Sequence, residues 1–322
     1  MPTLRLLNHT HIHHRARTRT IWAALLLAFG GLALVLGGCG LSSQPSGGSS
    51  GPIRVVAAEN FWGSIAAQVG GSQVKVTSLI NDPNADPHSY EPTQADARTV
   101  ADAKYVIVNG AGYDPWADKL LKANPVAGRK VLNLGDLTGT HVGDNPHLWY
   151  NPDYVTKAAS RIREDLKALD PAHAAAIDAS AQTFLTSGLK EYSGLIAAIK
   201  AKYAGTPVGA TESIFSYMAP ALGLNLITPP SYLKAVSEGQ DISASDEATV
   251  EQQIAQKQIT ILVYNSQNTP NNIQAIINKA KAGGIPVAMV TETLVPATAS
   301  FQDWQSSQLR GIEAALAQAT GK

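Results

Sequence analysis

Tyr105-Val106-Ile107-Val108-Asn109-Gly110-Ala111-Gly112 decides the architecture. Four successive apolar residues leave no side for water, as expected of a parallel strand covered on both faces. The run stops at a glycine-rich turn, and a helical pattern follows through Leu121. The next strand candidate is Lys130-Val131-Leu132-Asn133-Leu134. Toward the amino terminus, 53–58 and 74–80 read as strands, with helices over 61–69 and 94–103. Strands alternating with helices imply right-handed βαβ units and a mostly parallel sheet.

The same alternation resumes after Gly205-Thr206-Pro207, with strands over 208–210, 225–228, 259–264 and 286–290. Helices are predicted over 214–222, 244–256, 271–282 and from 301 onward, and 231–241 reads as an irregular loop. Between the two alternating halves, 152–203 is helical with almost no glycine. Asp170-Pro171 supplies an N-cap followed by proline at the first helical position, which splits this stretch in two. The second helix, 171–203, would then run about 50 Å at 1.5 Å per residue. The expectation is an α/β protein: two βα lobes with mostly parallel sheets, joined by one long helix, with a site in the interlobe cleft. The boundaries are 53–170 for the first lobe, 171–204 for the linking helix and 205–322 for the second lobe.

The first 52 residues are of another kind. Residues 1–38 hold Arg5, Arg15, Arg17 and Arg19, no acid, and an apolar run from Ile21 to Leu36. A basic opening followed by an apolar stretch shorter than a membrane span is the layout of an export signal. Leu36-Gly37-Gly38-Cys39 resembles a bacterial lipobox, so Cys39 is the expected lipidation site and 39–52 a flexible tether. The chain has 25 basic and 25 acidic residues in all, which leaves 21 against 25 once the leader is gone. Nothing in that balance suggests nucleic acid as a partner. Cys39 is the single cysteine, so neither a disulfide nor a zinc–thiolate site is available. His9, His11, His13 and His14 form a tract, but it lies in the segment removed on export.

Four histidines remain: His88, His141, His147 and His173. Two of them sit in phrases of one kind, Asp86-Pro87-His88-Ser89-Tyr90-Glu91-Pro92-Thr93 and Asn145-Pro146-His147-Leu148-Trp149. Prolines fix φ and remove backbone donors, so each phrase reads as a stiff loop aiming one imidazole, the commonest metal-ligating side chain. Both loops follow strands, and in open parallel sheets ligands bind beyond the carboxyl ends of strands. Glu212 and Glu292 occupy equivalent places after strands of the second half. For a single glutamate, a helix cap or a satisfied loop residue is the ordinary role. Four matched positions shift the balance toward convergence on one cation. Two imidazoles and two carboxylates suit Zn²⁺, Mn²⁺ or Fe²⁺, with coordination rising from four toward six if the carboxylates turn both oxygens inward. His141 is a candidate accessory ligand, set against the plainer role of an exposed loop histidine. His173, in the first turn of the linking helix, reads as a surface residue.

The two histidine phrases, with Thr211-Glu212-Ser213-Ile214-Phe215-Ser216-Tyr217, resemble the signatures of the TroA-like zinc and manganese solute-binding proteins of ABC importers. The resemblance extends over about residues 53–318. It implies a buried metal between two lobes and delivery to the transmembrane subunits of a permease by a monomer anchored outside the cell membrane. His88 and His147 are then first-lobe ligands and Glu212 the third. Glu292 stands where relatives usually have Asp, and Asn265 where many have Glu. Two rival classes share this residue set. A metal-dependent hydrolase needs an open coordination position and a base, for which Glu91 is the candidate. A surface adhesin would use the metal only as a clamp between lobes.

Overall fold

The computed structural model describes residues 51–322 apart from Asn84, Asp86, His88 and Ser89. The leader, Cys39 and His88 therefore lie outside the described residues, as does most of the tether. The first sheet contains β1 (Ile53–Glu59), β2 (Val74–Ile80), β3 (Tyr105–Val108) and β4 (Lys130–Asn133), all parallel and ordered β2-β1-β3-β4. All four β3 residues are buried, as their uninterrupted apolar run requires. The second sheet repeats the plan with β5 (Pro207–Ala210), β6 (Asn225–Leu226), β7 (Leu262–Asn265) and β8 (Val287–Val290), again parallel and ordered β6-β5-β7-β8. Strand order reverses between β1 and β3 in one sheet and between β5 and β7 in the other. Crevices open at such switch points.

Helix Asn60–Gly70 lies tight on the first sheet because Gly63 has no side chain: a Cβ there would meet Ser78 Oγ at 2.1 Å. The same helix buries Phe61 and Trp62. Phe61 stacks on Trp149 with ring centroids 4.0 Å apart, and Trp62 Nε1 donates to Asn109 Oδ1 at 3.1 Å. The aromatic residues of the second histidine phrase therefore belong to the core that carries the loop.

Three expectations need correction. The linking segment is not one uniform α-helix: a 3-10 turn (Pro171–His173) leads to Ala174–Thr183, a π turn (Phe184–Gly188) and Lys190–Tyr203. Its first half packs on helices Asn60–Gly70 and Pro152–Leu169, and its last half on Phe301–Thr320. One residue inserted at the π turn rotates the buried face by about 100° between these partners. Asp170 makes no side-chain cap; its carboxylate engages Nδ1 of the exposed His173 at 2.7 Å instead. The stretch expected as an irregular loop contains a helix, Pro230–Ser237, that buries Tyr232, Leu233 and Val236 along one face. Finally, the expected helix over 214–222 is a 3-10 turn (Ser213–Ser216) followed by the short helix Met218–Ala221.

At the carboxyl end of β3, Gly110, Ala111 and Gly112 all have positive φ, at 70°, 53° and 83°. Asp114 folds this turn by accepting from the backbone N–H of Asn109 and of Gly110, each at 2.8 Å. A Cβ on Gly110 would meet Asn133 Oδ1 at 2.0 Å, whereas one on Gly128 (φ 72°) would have nothing within 4 Å. Gly110→Ala should therefore destabilise the protein more than Gly128→Ala, whose cost is only the left-handed backbone, about 1 kcal/mol. Denaturant midpoints of the two variants measure the difference.

Candidate metal centre

His147, Glu212 and Glu292 converge. Each offers one ligand atom, these atoms lie within 4.8 Å of one another, and all three residues are buried. Each arrives on a segment that follows a strand: His147 beyond β4, Glu212 two residues after β5, and Glu292 two residues after β8. The cleft beside them holds a cavity of about 1010 Å³, walled in part by Ala111, Asn145, Ser213, Asn268 and Glu292.

The imidazole is oriented from within its own phrase. Asn145 Nδ2 donates to the carbonyl of Ser213 at 2.8 Å, which turns Oδ1 toward the ring. That oxygen lies 2.7 Å from His147 Nδ1, which assigns the proton to Nδ1 and the lone pair to Nε2. Tyr113 and Trp149 meet the ring edge-on at centroid distances of 6.0 and 5.3 Å. Asn145 also ties the two halves together, since Tyr217 Oη donates to its carbonyl at 3.0 Å.

Neutral donors hold the carboxylates. Asn265 Nδ2 donates to Oε1 of Glu212 and to Oε1 of Glu292, both at 2.8 Å. Asn268 Nδ2 reaches Glu212 Oε2 at 2.7 Å, and Tyr113 Oη crosses from the first lobe to Glu292 Oε2 at 2.8 Å. Burial first, then the neighbouring Glu292 charge, push the Glu212 carboxyl up to about 8 against the pull of its two amide partners. Burial, followed by Glu292, likewise raises Tyr113 well above its ordinary value, so the phenol stays a donor.

Behind Tyr113 sits a further acidic pair. Burial and then Asp114 raise Glu59 well above the usual carboxylate range. Burial also brings Asp114 to about 6, opposed by the N–H groups of Gly110 and Asn109. Burial makes an ionised Glu59 costly, and the neighbouring Asp114 adds to that cost. Asp114 itself folds the turn that aims Tyr113.

The remaining candidates fall elsewhere. His141, Glu91 and His173 are exposed and outside the convergent group. Of the first histidine phrase, Pro87 is buried and its carbonyl accepts from Trp116 Nε1 at 2.9 Å, anchoring the chain next to His88. Sequence reasoning missed Tyr113 and Asn268 altogether and did not see the orienting role of Asn145. A lone tyrosine or asparagine in a loop carries no spacing signal; the one clue was that Asn145 repeats the place of Asp86 in the matched phrase.

A carboxyl whose folded value is raised contributes stability below its ordinary value and loses it as pH rises through the folded one. The metal-free protein should accordingly lose stability between about pH 4.5 and 8, as Glu212 and Asp114 ionise. Glu212→Gln should flatten that slope and raise the melting temperature at pH 8, as thermal scans across this range would show. Asn145→Ala should leave the fold intact and weaken metal binding about 10–100-fold, the usual cost of losing a partner that orients a ligating histidine; calorimetric titration measures it.

Comparison with known proteins places these features in a family. Residues 55–315 match the family model described as ZnuA, zinc-uptake complex component A periplasmic. The chain is similar to the manganese-binding lipoprotein MntA of Halalkalibacterium halodurans, at 27% identity over 48% of this chain and 52% of that protein. It is also similar to the metal ABC transporter substrate-binding lipoprotein FimA of Streptococcus parasanguinis, at 24% identity over 82% of this chain and 87% of the relative. The fold matches an Mn-bound periplasmic metal binding protein from Candidatus Liberibacter asiaticus with a TM-score of 0.68 and 22% identity, covering 82% of this chain and 99% of the other. With its model matched over most of the chain, the protein belongs to the ZnuA family, whose members bind a substrate for transport.

Proposed function

We propose that this protein captures a Zn²⁺ or Mn²⁺ ion outside the cytoplasm, with Fe²⁺ within reach of the same donors, and delivers it to the transmembrane subunits of an ABC permease. His147, Glu212 and Glu292 are ligands, and His88, in the other proline-mounted phrase, completes the set. The observation that carries this reading is the burial of one imidazole and two carboxylates within 4.8 Å of one another. Two buried like charges side by side are costly unless a cation or a proton joins them. A divalent ion relieves that cost, and the described donors to the pair, Asn265, Asn268 and Tyr113, carry no charge.

In this reading residues 1–38 direct export, Cys39 carries the lipid anchor, and 39–52 tether a monomer to the outer face of the membrane. The lobes are 53–170 and 205–322, joined by 171–204. No helix among the described residues is long and apolar enough to cross a membrane. The protein is a carrier rather than a hydrolase: Glu91, the carboxylate cast as a base, is exposed and outside the cluster.

Adding Zn²⁺ or Mn²⁺ to metal-free protein should raise its stability by about 2.7 kcal/mol at 100-fold excess over Kd. His147→Ala, His88→Ala and Glu292→Ala should each abolish most of that rise, and His173→Ala should not. Thermal shift read against each ion tests the set; no shift with any first-row metal overturns it. A strain lacking the protein should take up less of the metal, whereas an adhesin would leave uptake unchanged.

A further inference from the structure

β7 lies between β5 and β8, so its last residue rises between the glutamates that follow those two strands. That residue is Asn265, fully buried. Its Oδ1 accepts from the backbone N–H of Gln267 at 2.9 Å, which identifies the other amide atom as Nδ2. Nδ2 then donates one hydrogen to Glu212 Oε1 and the other to Glu292 Oε1, each at 2.8 Å. The two N–H bonds of a planar amide diverge by about 120°, so acceptors in line with them stand roughly 4.8 Å apart. Two oxygens that far apart cannot both reach one ion at the ~2.0–2.2 Å of a zinc–oxygen bond. A hydrogen-bonded carboxylate oxygen keeps a second lone pair for a metal, so the separation leaves room for at most one of the two glutamates to turn both oxygens on a central ion while the amide holds the pair.

We propose that Asn265 determines which metal the centre prefers, by holding Oε1 of Glu212 and Oε1 of Glu292 too far apart to share one ion and so denying it two-oxygen ligation from both glutamates at once. With two imidazoles the protein then offers four or five ligand atoms, and never the six that both oxygens of both glutamates would complete. Four is the number Zn²⁺ favours, whereas Mn²⁺ prefers six, mostly from oxygen. The cargo this chain discriminates for is therefore Zn²⁺ over Mn²⁺, beyond the general advantage of zinc at nitrogen and oxygen sites. Asn265 acts through the glutamates; it is a positioning residue and not a ligand. The inference rests on the metal-capture reading above.

Two variants test it. Asn265→Asp keeps the shape and the acceptor for Gln267 but removes the N–H donors; Asn265→Ala removes the side chain beyond Cβ. Competition titrations of metal-free wild-type and variant protein give the ratio of Mn²⁺ to Zn²⁺ dissociation constants, which cancels any uniform change in charge or packing. The ratio should fall at least about tenfold in both variants. Visible absorption of the Co²⁺-loaded protein is the second readout, because four-coordinate Co²⁺ absorbs far more strongly than six-coordinate. Wild type should show the intense four-coordinate bands and the variants weaker ones. An unchanged ratio with unchanged Co²⁺ bands overturns the inference, as does a weak six-coordinate spectrum in wild type. If Asn265→Ala does not fold, Asn265→Asp alone decides by the same two readouts. Wild-type protein that binds none of the three ions overturns the capture reading itself, a result distinct from an unchanged ratio.

Discussion

Two carboxylates of like charge, buried against each other at the carboxyl edge of one sheet, are the constraint on which the rest of the structure depends. Glu212 and Glu292 cannot both ionise there without a counter-charge, and burial raises Glu212 to about 8. Among the described residues the donors to this pair are neutral: Asn265, Asn268 and Tyr113. These donors keep the carboxylates in place without adding a positive charge. A lysine or arginine in the same place would stabilise the empty fold and spoil it as a receptor.

The first lobe is arranged around the same pair. Its glycine-rich turn, folded by Asp114, aims Tyr113 across the cleft at Glu292. Its second histidine phrase presents His147 with the tautomer set by Asn145, whose amide is fixed in turn by a carbonyl of the opposite lobe. The ligand-bearing segments are therefore held in register by polar contacts between lobes as well as by the aromatic packing of Phe61, Trp149 and Tyr113.

Most of the fold was legible in the sequence because its determinants are local. Uninterrupted apolar runs such as Tyr105–Val108 mark parallel strands, and proline and glycine mark the turns between them. The failures have local causes too. The prolines at 229 and 230 masked a helix that begins on them, and the π turn at Phe184–Gly188 left no trace in a periodic helical pattern. At the site, the meeting of His147, Glu212 and Glu292 was readable, since a proline-mounted histidine and glutamates after strands stand at set topological places. Tyr113, Asn268 and the bridging role of Asn265 were not. They act through hydrogen bonds made between segments far apart in the chain, and a single sequence holds no signal for such pairs.

The most direct measurement is the anomalous diffraction of crystals loaded with Zn²⁺, recorded at the zinc edge. The account predicts one strong peak within about 2.0–2.2 Å of His147 Nε2 and of one oxygen each from Glu212 and Glu292. A peak bound elsewhere, or none at this cluster in protein that holds zinc in solution, would contradict it.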